Sequence, residues 1–184
     1  LWLRDRFLQL IRREKEHARK GEEAHIRAKM NSLCDQEIIA SLYEASMAGV
    51  KVELIVRGIC CLKTGIPGVS DNIEVRSIVG NFLEHSRIFY FYNNGAEEVY
   101  CASADWMPRN LDRRVEILFP IWQEELKREV MHILDILLED TVKAHVLTAE
   151  GTYDKIDRRC KAFLNSQEYF TMEAKERASQ EEPQ

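Results

Sequence analysis

The sequence predicts an α/β domain in which helices pack on a mixed sheet of five or six strands. The first observation is a strand–helix–strand order over residues 24–56, which is typical of a right-handed crossover between parallel strands. The second is a hairpin pattern, in which 86–92 and 97–103 flank an Asn-Asn-Gly turn. The third is a helical period of apolar residues in 2–19 and 123–139.

The elements are distinguished by their apolar period, which is about 3.6 residues in helices and two in strands. In chain order we expect helix 2–19, strand 24–30, a helix that ends at Gly49, strand 50–56, loop 57–72, strand 73–79, strands 86–92 and 97–103, loop 104–112, strand 115–119, helix 123–139 and a further helix at about 154–169. Four glycines and prolines mark the longest loop.

Composition excludes several classes of protein. The net charge is −5, from 26 basic and 31 acidic residues, which makes non-specific nucleic-acid binding a poor hypothesis. Five cysteines without a CxxC pair argue against a disulfide framework or zinc site and favour the reduced thiols of a cytosolic protein. No apolar run reaches the ~20 residues of a transmembrane helix. Because the chain begins at Leu1 without a Met or signal peptide, we expect a piece of a longer protein.

Arg57 is the first candidate site residue. It follows strand 50–56 and precedes Gly58, at the strand end where open α/β sheets collect ligands. A guanidinium suits phosphate because it offers paired donors and keeps its charge. A surface arginine that simply ends a strand is the alternative.

His85 is the second candidate, beside Glu84 and two residues before Arg87. A phosphate site needs a group that exchanges a proton near neutral pH, and imidazole does so. Glu84 is a candidate to orient the imidazole. A structural or exposed histidine is the alternative.

A third constellation follows the strand at 97–103. Ser103, Asp105 and Asn110 supply a hydroxyl, a carboxylate and a carboxamide, which suit a shell that supports an anionic ligand. Polar loops at strand ends are common, so a loop without a function is the alternative. No nucleotide or hydrolase signature such as GxxxxGK[ST] or GxSxG occurs.

Three stretches carry a resemblance to a known family: KMNSLCDQEIIASLYEASMAGVKVELIVRGICCL, GVSDNIEVRSIVGNFLEHSRIFYF and VYCASADWMPRNLDRRVEILFPI. They closely resemble the C-terminal part of bacterial polyphosphate kinase. The resemblance implies that residues 1–146 form the second of two phospholipase D-like catalytic domains. A helical extension over 147–172 and a disordered tail over 173–184 would follow.

The resemblance also implies an activity and roles for single residues. The family transfers the terminal phosphate of ATP reversibly to polyphosphate, with Mg²⁺ and a phosphohistidine. It assigns ATP binding to Arg57 and His85, with a general acid/base role considered for His85. Arg87 replaces the Lys of the phospholipase D pattern, and the segment 103–105 replaces its Ser-x-Asn element. The nucleophilic histidine and the metal-binding residues are expected in a preceding domain, so we expect the isolated chain to be inactive.

The implied partners are ATP or ADP, polyphosphate, the preceding domains of the same polypeptide and further copies in a homo-oligomer, without nucleic acid or a transmembrane segment. The implied location is cytoplasmic, with peripheral attachment to the inner membrane left open. Two alternatives remain. One is a phospholipase D-type phosphodiesterase or nuclease formed by two paired copies. The other is a non-catalytic phosphate-binding or assembly module that uses helices 2–19 and 123–139 as contact faces.

Overall fold

The computed structural model describes residues 2–159 and 161–181, which form one sheet with helices on both faces. The helices are α1 (Leu3–Arg19), α2 (Gln36–Met47), α3 (Pro108–Arg113), α4 (Glu124–Leu138) and α5 (Ser166–Glu181). The strands are β1 (His25–Met30), β2 (Lys51–Val56), β3 (Ile73–Ile78), β4 (Ile88–Phe91), β5 (Glu98–Ala102), β6 (Leu118–Pro120), β7 (Ala144–Leu147) and β8 (Tyr153–Lys155). Their order across the sheet is β6-β5-β4-β1-β2-β3-β7-β8.

The centre of the sheet is the predicted crossover. Strands β1 and β2 run parallel on either side of α2 in the chain, with Met30 paired to Val56, and β3 continues the parallel set. Helix α2 begins where the Asp35 side chain accepts a hydrogen bond from the Ile38 N–H at 3.1 Å. The prediction of a mixed α/β sheet built on a parallel pair is confirmed.

The predicted hairpin is also present. Strands β4 and β5 pair antiparallel, and β4 lies antiparallel to β1. Asn93 and Asn94 turn the chain at φ 47° and 51°, in the left-handed region that asparagine tolerates, and Gly95 follows at φ 88°. This single turn reverses the chain, so both ends of the hairpin lie at one end of the sheet.

Helices cover the sheet unequally. On one face α1 and α2 pack over a large core, in which the Phe89 ring lies 4.7 Å from Phe7 and 5.1 Å from Trp106, centroid to centroid. On the other face α4 places Leu134 and Leu137 over a smaller core. In the part of the chain that the structure describes, no helix is long and apolar enough to cross a membrane.

The C-terminal third differs from the sequence prediction. The sheet has eight strands rather than five or six, because β7 and β8 extend it by antiparallel pairing around Gly151. The helix expected at 154–169 is wrong in its position. Helix α5 begins only at Ser166, where the buried Asp140 carboxylate accepts from the Ser166 N–H and hydroxyl. It continues to Glu181, over most of the expected disordered tail, whose last residues 182–184 lie outside the described residues.

Two predictions near the hairpin also need correction. The expected loop 104–112 contains α3, which starts with Pro108. Proline is favourable in the first turn of a helix, because a backbone N–H at that position would have no partner within the helix. The expected strand 115–119 shortens to β6 at the sheet edge, and its alternating Val115 and Ile117 are 102% and 59% exposed. The apolar alternation therefore does not mark a buried face within this domain.

Candidate functional site

Sheet topology brings four loops to one end of the sheet. Asn31 follows β1 and Arg57 follows β2, and these strands are parallel neighbours. Because β4 lies antiparallel to β1, the segment with His85 enters the sheet at this same end. Because β5 lies antiparallel to β4, Asp105 leaves the sheet there as well. The predicted positions of Arg57 after a strand, His85 before a strand and Asp105 after a strand therefore coincide at one end of the sheet.

The Asn31 side chain connects the two principal candidates. Its Oδ1 accepts a hydrogen bond from Arg57 Nε at 3.2 Å, and its Nδ2 lies 3.5 Å from His85 Nδ1. The Arg57 backbone N–H donates to the Met30 carbonyl at 3.3 Å, which continues the β1–β2 pairing. One carboxamide thus contacts both the guanidinium and the imidazole that the sequence singles out.

Asp105 holds the Asn31 backbone and Arg87 in place through its carboxylate. It is 6% exposed, and its Oδ1 accepts from the Asn31 backbone N–H at 2.7 Å. Arg87 donates to its two oxygens through Nε at 3.2 Å and Nη2 at 3.3 Å, and Arg87 Nη1 donates to the His85 carbonyl at 3.0 Å. We call Asn31, Arg57, His85, Arg87 and Asp105 the Asn31 cluster.

Lys29 lies buried in β1 beside this cluster. Its Nζ donates to Ser86 Oγ at 2.8 Å and to the Ser86 carbonyl at 3.2 Å, and it pairs with Glu84 at 3.3 Å. Burial lowers the pKa of Lys29, against the opposing effect of Glu84. Glu84 contacts Lys29 and Gln167 rather than His85, so the expectation that it orients the imidazole has no support in these contacts.

Ser103 and Asn110 belong to a different group. Ser103 Oγ hydrogen-bonds to Glu116 and accepts from the Ile117 N–H at 3.0 Å, while Asn110 Nδ2 donates to Glu116 at 2.5 Å. We call Ser103, Asn110 and Glu116 the Glu116 cluster. Among the described residues, no hydrogen bond connects it to Arg57 or His85.

Asn110 and Glu116 of this cluster line a cavity of about 580 Å³. Aromatic and apolar side chains, among them Trp2, Tyr100 and Trp122, form much of its lining. Asn110 Oδ1 is buried there without a hydrogen-bond partner in the described part of the chain. This cavity lies apart from the two side chains that the sequence proposes for phosphate.

Sequence reasoning missed Asn31, Lys29 and Gln167. Asn31 directly follows a predicted strand, as Arg57 does, and this shared position was the available signal; the sequence suggests only a helix-capping role for it. Lys29 offers no signal, because a lysine in a strand ordinarily faces solvent. Gln167 comes from a helix that the sequence places wrongly.

The charges in this region suit an anion. Lys29 and Arg87 already pair with Glu84 and Asp105, whereas Arg57 makes no ion pair within the described residues. No three His, Cys, Asp or Glu side chains come together in a metal-binding arrangement in residues 2–159 and 161–181. The guanidinium of Arg57 beside the imidazole of His85 fits the oxygen atoms of a phosphate.

Comparison with known proteins identifies the family. The family model described as polyphosphate kinase C-terminal domain 2 matches residues 1–167. The chain belongs to the polyphosphate kinase family. It is 54% identical to the polyphosphate kinase of Lactiplantibacillus plantarum over 159 residues, which cover 86% of this chain and 22% of that protein. With the polyphosphate kinase of Thermosynechococcus vestitus it is 58% identical over 151 residues, covering 82% and 21%.

Solved structures agree with this polyphosphate kinase assignment. The crystal structure of polyphosphate kinase from Porphyromonas gingivalis matches with a TM-score of 0.90 and 40% identity, over 96% of this chain and 27% of that chain. NucT from Helicobacter pylori matches with a TM-score of 0.53 and 12% identity, over 76% and 93%, which shows the fold alone. The predicted α/β fold, a mixed sheet flanked by helices, is confirmed, and the Porphyromonas gingivalis polyphosphate kinase shares it. The chain spans about a fifth of the length of the curated polyphosphate kinases that it matches.

Proposed function

We propose that the full-length protein transfers the terminal phosphate of ATP reversibly to polyphosphate, and that this domain forms one side of the phosphoryl-transfer cleft. Its relatives carry the name polyphosphate kinase. The observation that carries the proposal is the contact of Asn31 with both Arg57 and His85 at the strand ends. A guanidinium and an imidazole held side by side suit a phosphate that is bound and then transferred.

Arg57 binds phosphate oxygens and neutralises charge that develops during transfer. Its Nε donates to Asn31, and its two terminal nitrogens have no hydrogen-bond partner in the described part of the chain. Those nitrogens can donate a pair of hydrogen bonds to the oxygen atoms of a phosphate. The contact with Asn31 orients the guanidinium plane before the ligand arrives.

His85 contributes a proton donor beside that guanidinium. Asn31 Nδ2 faces His85 Nδ1, and a neutral imidazole that accepts at Nδ1 carries its proton at Nε2. The side chain is exposed, so Nε2 is accessible to a phosphate oxygen or to the leaving oxygen. The nucleophilic histidine of the phosphohistidine step belongs, in this proposal, to another part of the polypeptide.

The supporting residues divide along the two clusters. Arg87 and Asp105 hold the Asn31 backbone and the His85 carbonyl, which supports their assignment as structural partners of the site. The contacts of Ser103 and Asn110 with Glu116 give no support for such a role.

Mg²⁺ enters this proposal as part of the nucleotide substrate, where it neutralises phosphate charge. In this proposal the residues that hold it belong to preceding domains of the polypeptide, as the family resemblance implies. The proposal places the enzyme in the cytoplasm as a homo-oligomer and keeps peripheral contact with the inner membrane open.

The test is to replace His85 and Arg57 with Ala separately in the full-length enzyme and to measure polyphosphate synthesis. Each change should lower turnover by about 100-fold or more, because each removes a charge- or proton-bearing contact with the transferred phosphate. His145→Ala, in β7, is the matched control and should leave turnover unchanged. Near-normal turnover of His85→Ala would contradict the proposal.

Two further assays separate the alternatives. The 184-residue chain alone should make no polyphosphate, and repeated turnover by it would contradict a nucleophile outside this chain. Cleavage of a chromogenic phosphodiester by the purified chain would instead support the phosphodiesterase.

A further inference from the structure

The segment that carries His85 has no regular secondary structure of its own. Residues 82–86, which we call the His85 segment, lie in the connection between β3 and β4, which contains no helix or strand. Phe82 and Leu83 are 64% and 68% exposed, so apolar packing does not hold the segment in place. Among the described residues, Asn31 is the only hydrogen-bond partner of the imidazole, at 3.5 Å. Its position therefore depends on how the rest of the segment is anchored.

Lys29 anchors the segment from inside the sheet. Its side chain is 2% exposed, and its Nζ faces the Ser86 hydroxyl, the Ser86 carbonyl and a Glu84 carboxylate oxygen. An ammonium group has three donors, and these three acceptors use all of them. Lys29 consequently has no donor left for a phosphate, and it contacts the residues immediately before and after His85.

Gln167, from helix α5, also anchors the segment. Its Nε2 donates to the Phe82 carbonyl and to Glu84 Oε1, both at 2.8 Å, and its Oε1 accepts from the Phe82 N–H at 3.0 Å. The approach is so close that a Cβ added at Gly80 would lie 2.3 Å from Gln167 Oε1. Gln167 is 6% exposed, although it belongs to the mostly exposed helix α5.

We propose that Lys29 and Gln167 are positioning residues that hold the His85 segment through two sets of hydrogen bonds, so that the imidazole stays beside Asn31 and Arg57. The inference deepens the proposed function and rests on it. Phosphoryl transfer relies mainly on positioning and electrostatic stabilisation, so a small displacement of His85 lowers the rate. Helix α5 then supports the site, although it follows the sheet and lies last in the described chain.

The experiment compares Lys29→Met and Gln167→Leu in the full-length enzyme with the unsubstituted enzyme. Both changes keep side-chain volume and remove the hydrogen bonds. We expect kcat/KM for ATP to fall about 10- to 100-fold, the loss typical of a misplaced catalytic group. The matched controls are Lys127→Met on α4 and Gln123→Leu immediately before it, which should leave kcat/KM within about twofold, as surface substitutions do.

A double-mutant cycle with His85→Ala distinguishes positioning from general damage. If Lys29 acts through His85, Lys29→Met should lower activity less than about twofold once the imidazole is gone. An equal loss in both backgrounds would overturn the inference, as would unchanged activity of Lys29→Met in the presence of His85. Near-normal activity of His85→Ala would overturn the proposed function and this inference together.

A second variant covers the case in which Lys29→Met does not fold. Ser86→Ala removes one acceptor of Lys29 from an exposed residue and leaves the buried pair with Glu84 intact. We expect a loss of about three- to tenfold in kcat/KM, the equivalent of one hydrogen bond. This loss should again disappear in the His85→Ala background. An absent or additive effect would overturn the inference.

Discussion

The Asn31 cluster and the Glu116 cluster begin on the same loop but are built in opposite ways. Asp105 joins the first and Ser103 the second, although only one residue separates them. Asp105 accepts from Asn31, which lies 74 positions away, whereas Ser103 accepts from Ile117, only 14 positions away. The Asn31 cluster connects loops from four strands, whereas the hydrogen bonds of the Glu116 cluster stay within residues 103–117.

This difference indicates what each cluster does. The Glu116 cluster satisfies polar groups of the chain around α3 and β6, as loop contacts ordinarily do. The Asn31 cluster fixes Arg57 and His85 through several strands and leaves donors of Arg57 for a ligand. Such preorganisation on rigid elements is what a binding site requires.

The largest expected effect is on stability, with Asp105→Ala. The change removes the acceptor of the buried Asn31 N–H and leaves the Arg87 guanidinium unpaired. We expect the free energy of unfolding to fall by about 3–5 kcal/mol, as for other broken buried ion pairs. Glu116→Ala, which breaks the local cluster, should cost about 1 kcal/mol. Guanidinium denaturation followed by tryptophan fluorescence measures both, and equal losses would remove the distinction between the clusters.

The sequence predicts the central fold well because its signals there are local. Alternating apolar residues define β1 and β2, and the Asn-Asn-Gly turn defines the hairpin. Strands β7 and β8 have four and three residues, too few for a period to be recognised. The alternation at Val115 and Ile117 misleads because it lies on an exposed edge of this domain.

The site is predictable only where a residue type and a strand end coincide. Arg57 and His85 meet this condition, and the family resemblance selects the same two. Asn31 also follows a strand. Its neighbours in the sequence do not show whether its side chain caps a helix or, as in the structure, contacts both Arg57 and His85. Lys29 and Gln167 depend on burial and on contact between distant parts of the chain, which periodicity does not reveal.

The next effect concerns Asp140, which holds the start of α5 and thereby Gln167. Although burial opposes ionisation, hydrogen bonds from Ser166, Lys143 and Ala144 keep the pKa of Asp140 below its ordinary value of 3.8. The stabilisation is therefore fully present above pH 3.8 and is lost as pH falls through the lower folded-state pKa.

Asp140→Asn should accordingly lower the free energy of unfolding at pH 7 by about 2–3 kcal/mol, because it removes hydrogen bonds to a charged group. The difference from the unsubstituted chain should shrink as the pH falls below 3.8. Denaturation curves recorded from about pH 7 down to about pH 3, below the reference pKa of Asp, measure this difference in the free energy of unfolding. The control is Asp154→Asn on the exposed strand β8, and a difference that is constant with pH would refute the assignment.

Two buried asparagines give a direct comparison of the clusters in catalysis. Asn31→Ala releases Arg57 and His85, so polyphosphate synthesis by the full-length enzyme should fall about 10- to 100-fold. Asn110→Ala releases only Glu116, and activity should stay within about threefold. Thermal unfolding of both variants checks that each remains folded. A larger activity loss for Asn110→Ala than for Asn31→Ala would reverse the comparison.

The smallest expected effect is that of Ser103→Ala. The hydroxyl contacts Glu116 and the Ile117 N–H at an exposed position, where water replaces a lost partner. We expect a loss of about 0.5–1 kcal/mol in the free energy of unfolding, and activity within about twofold of the unsubstituted enzyme. A tenfold or greater loss of activity would mean that Ser103 reaches the phosphate after all. The two clusters would then act as one site in the full-length enzyme, as the sequence alone predicts.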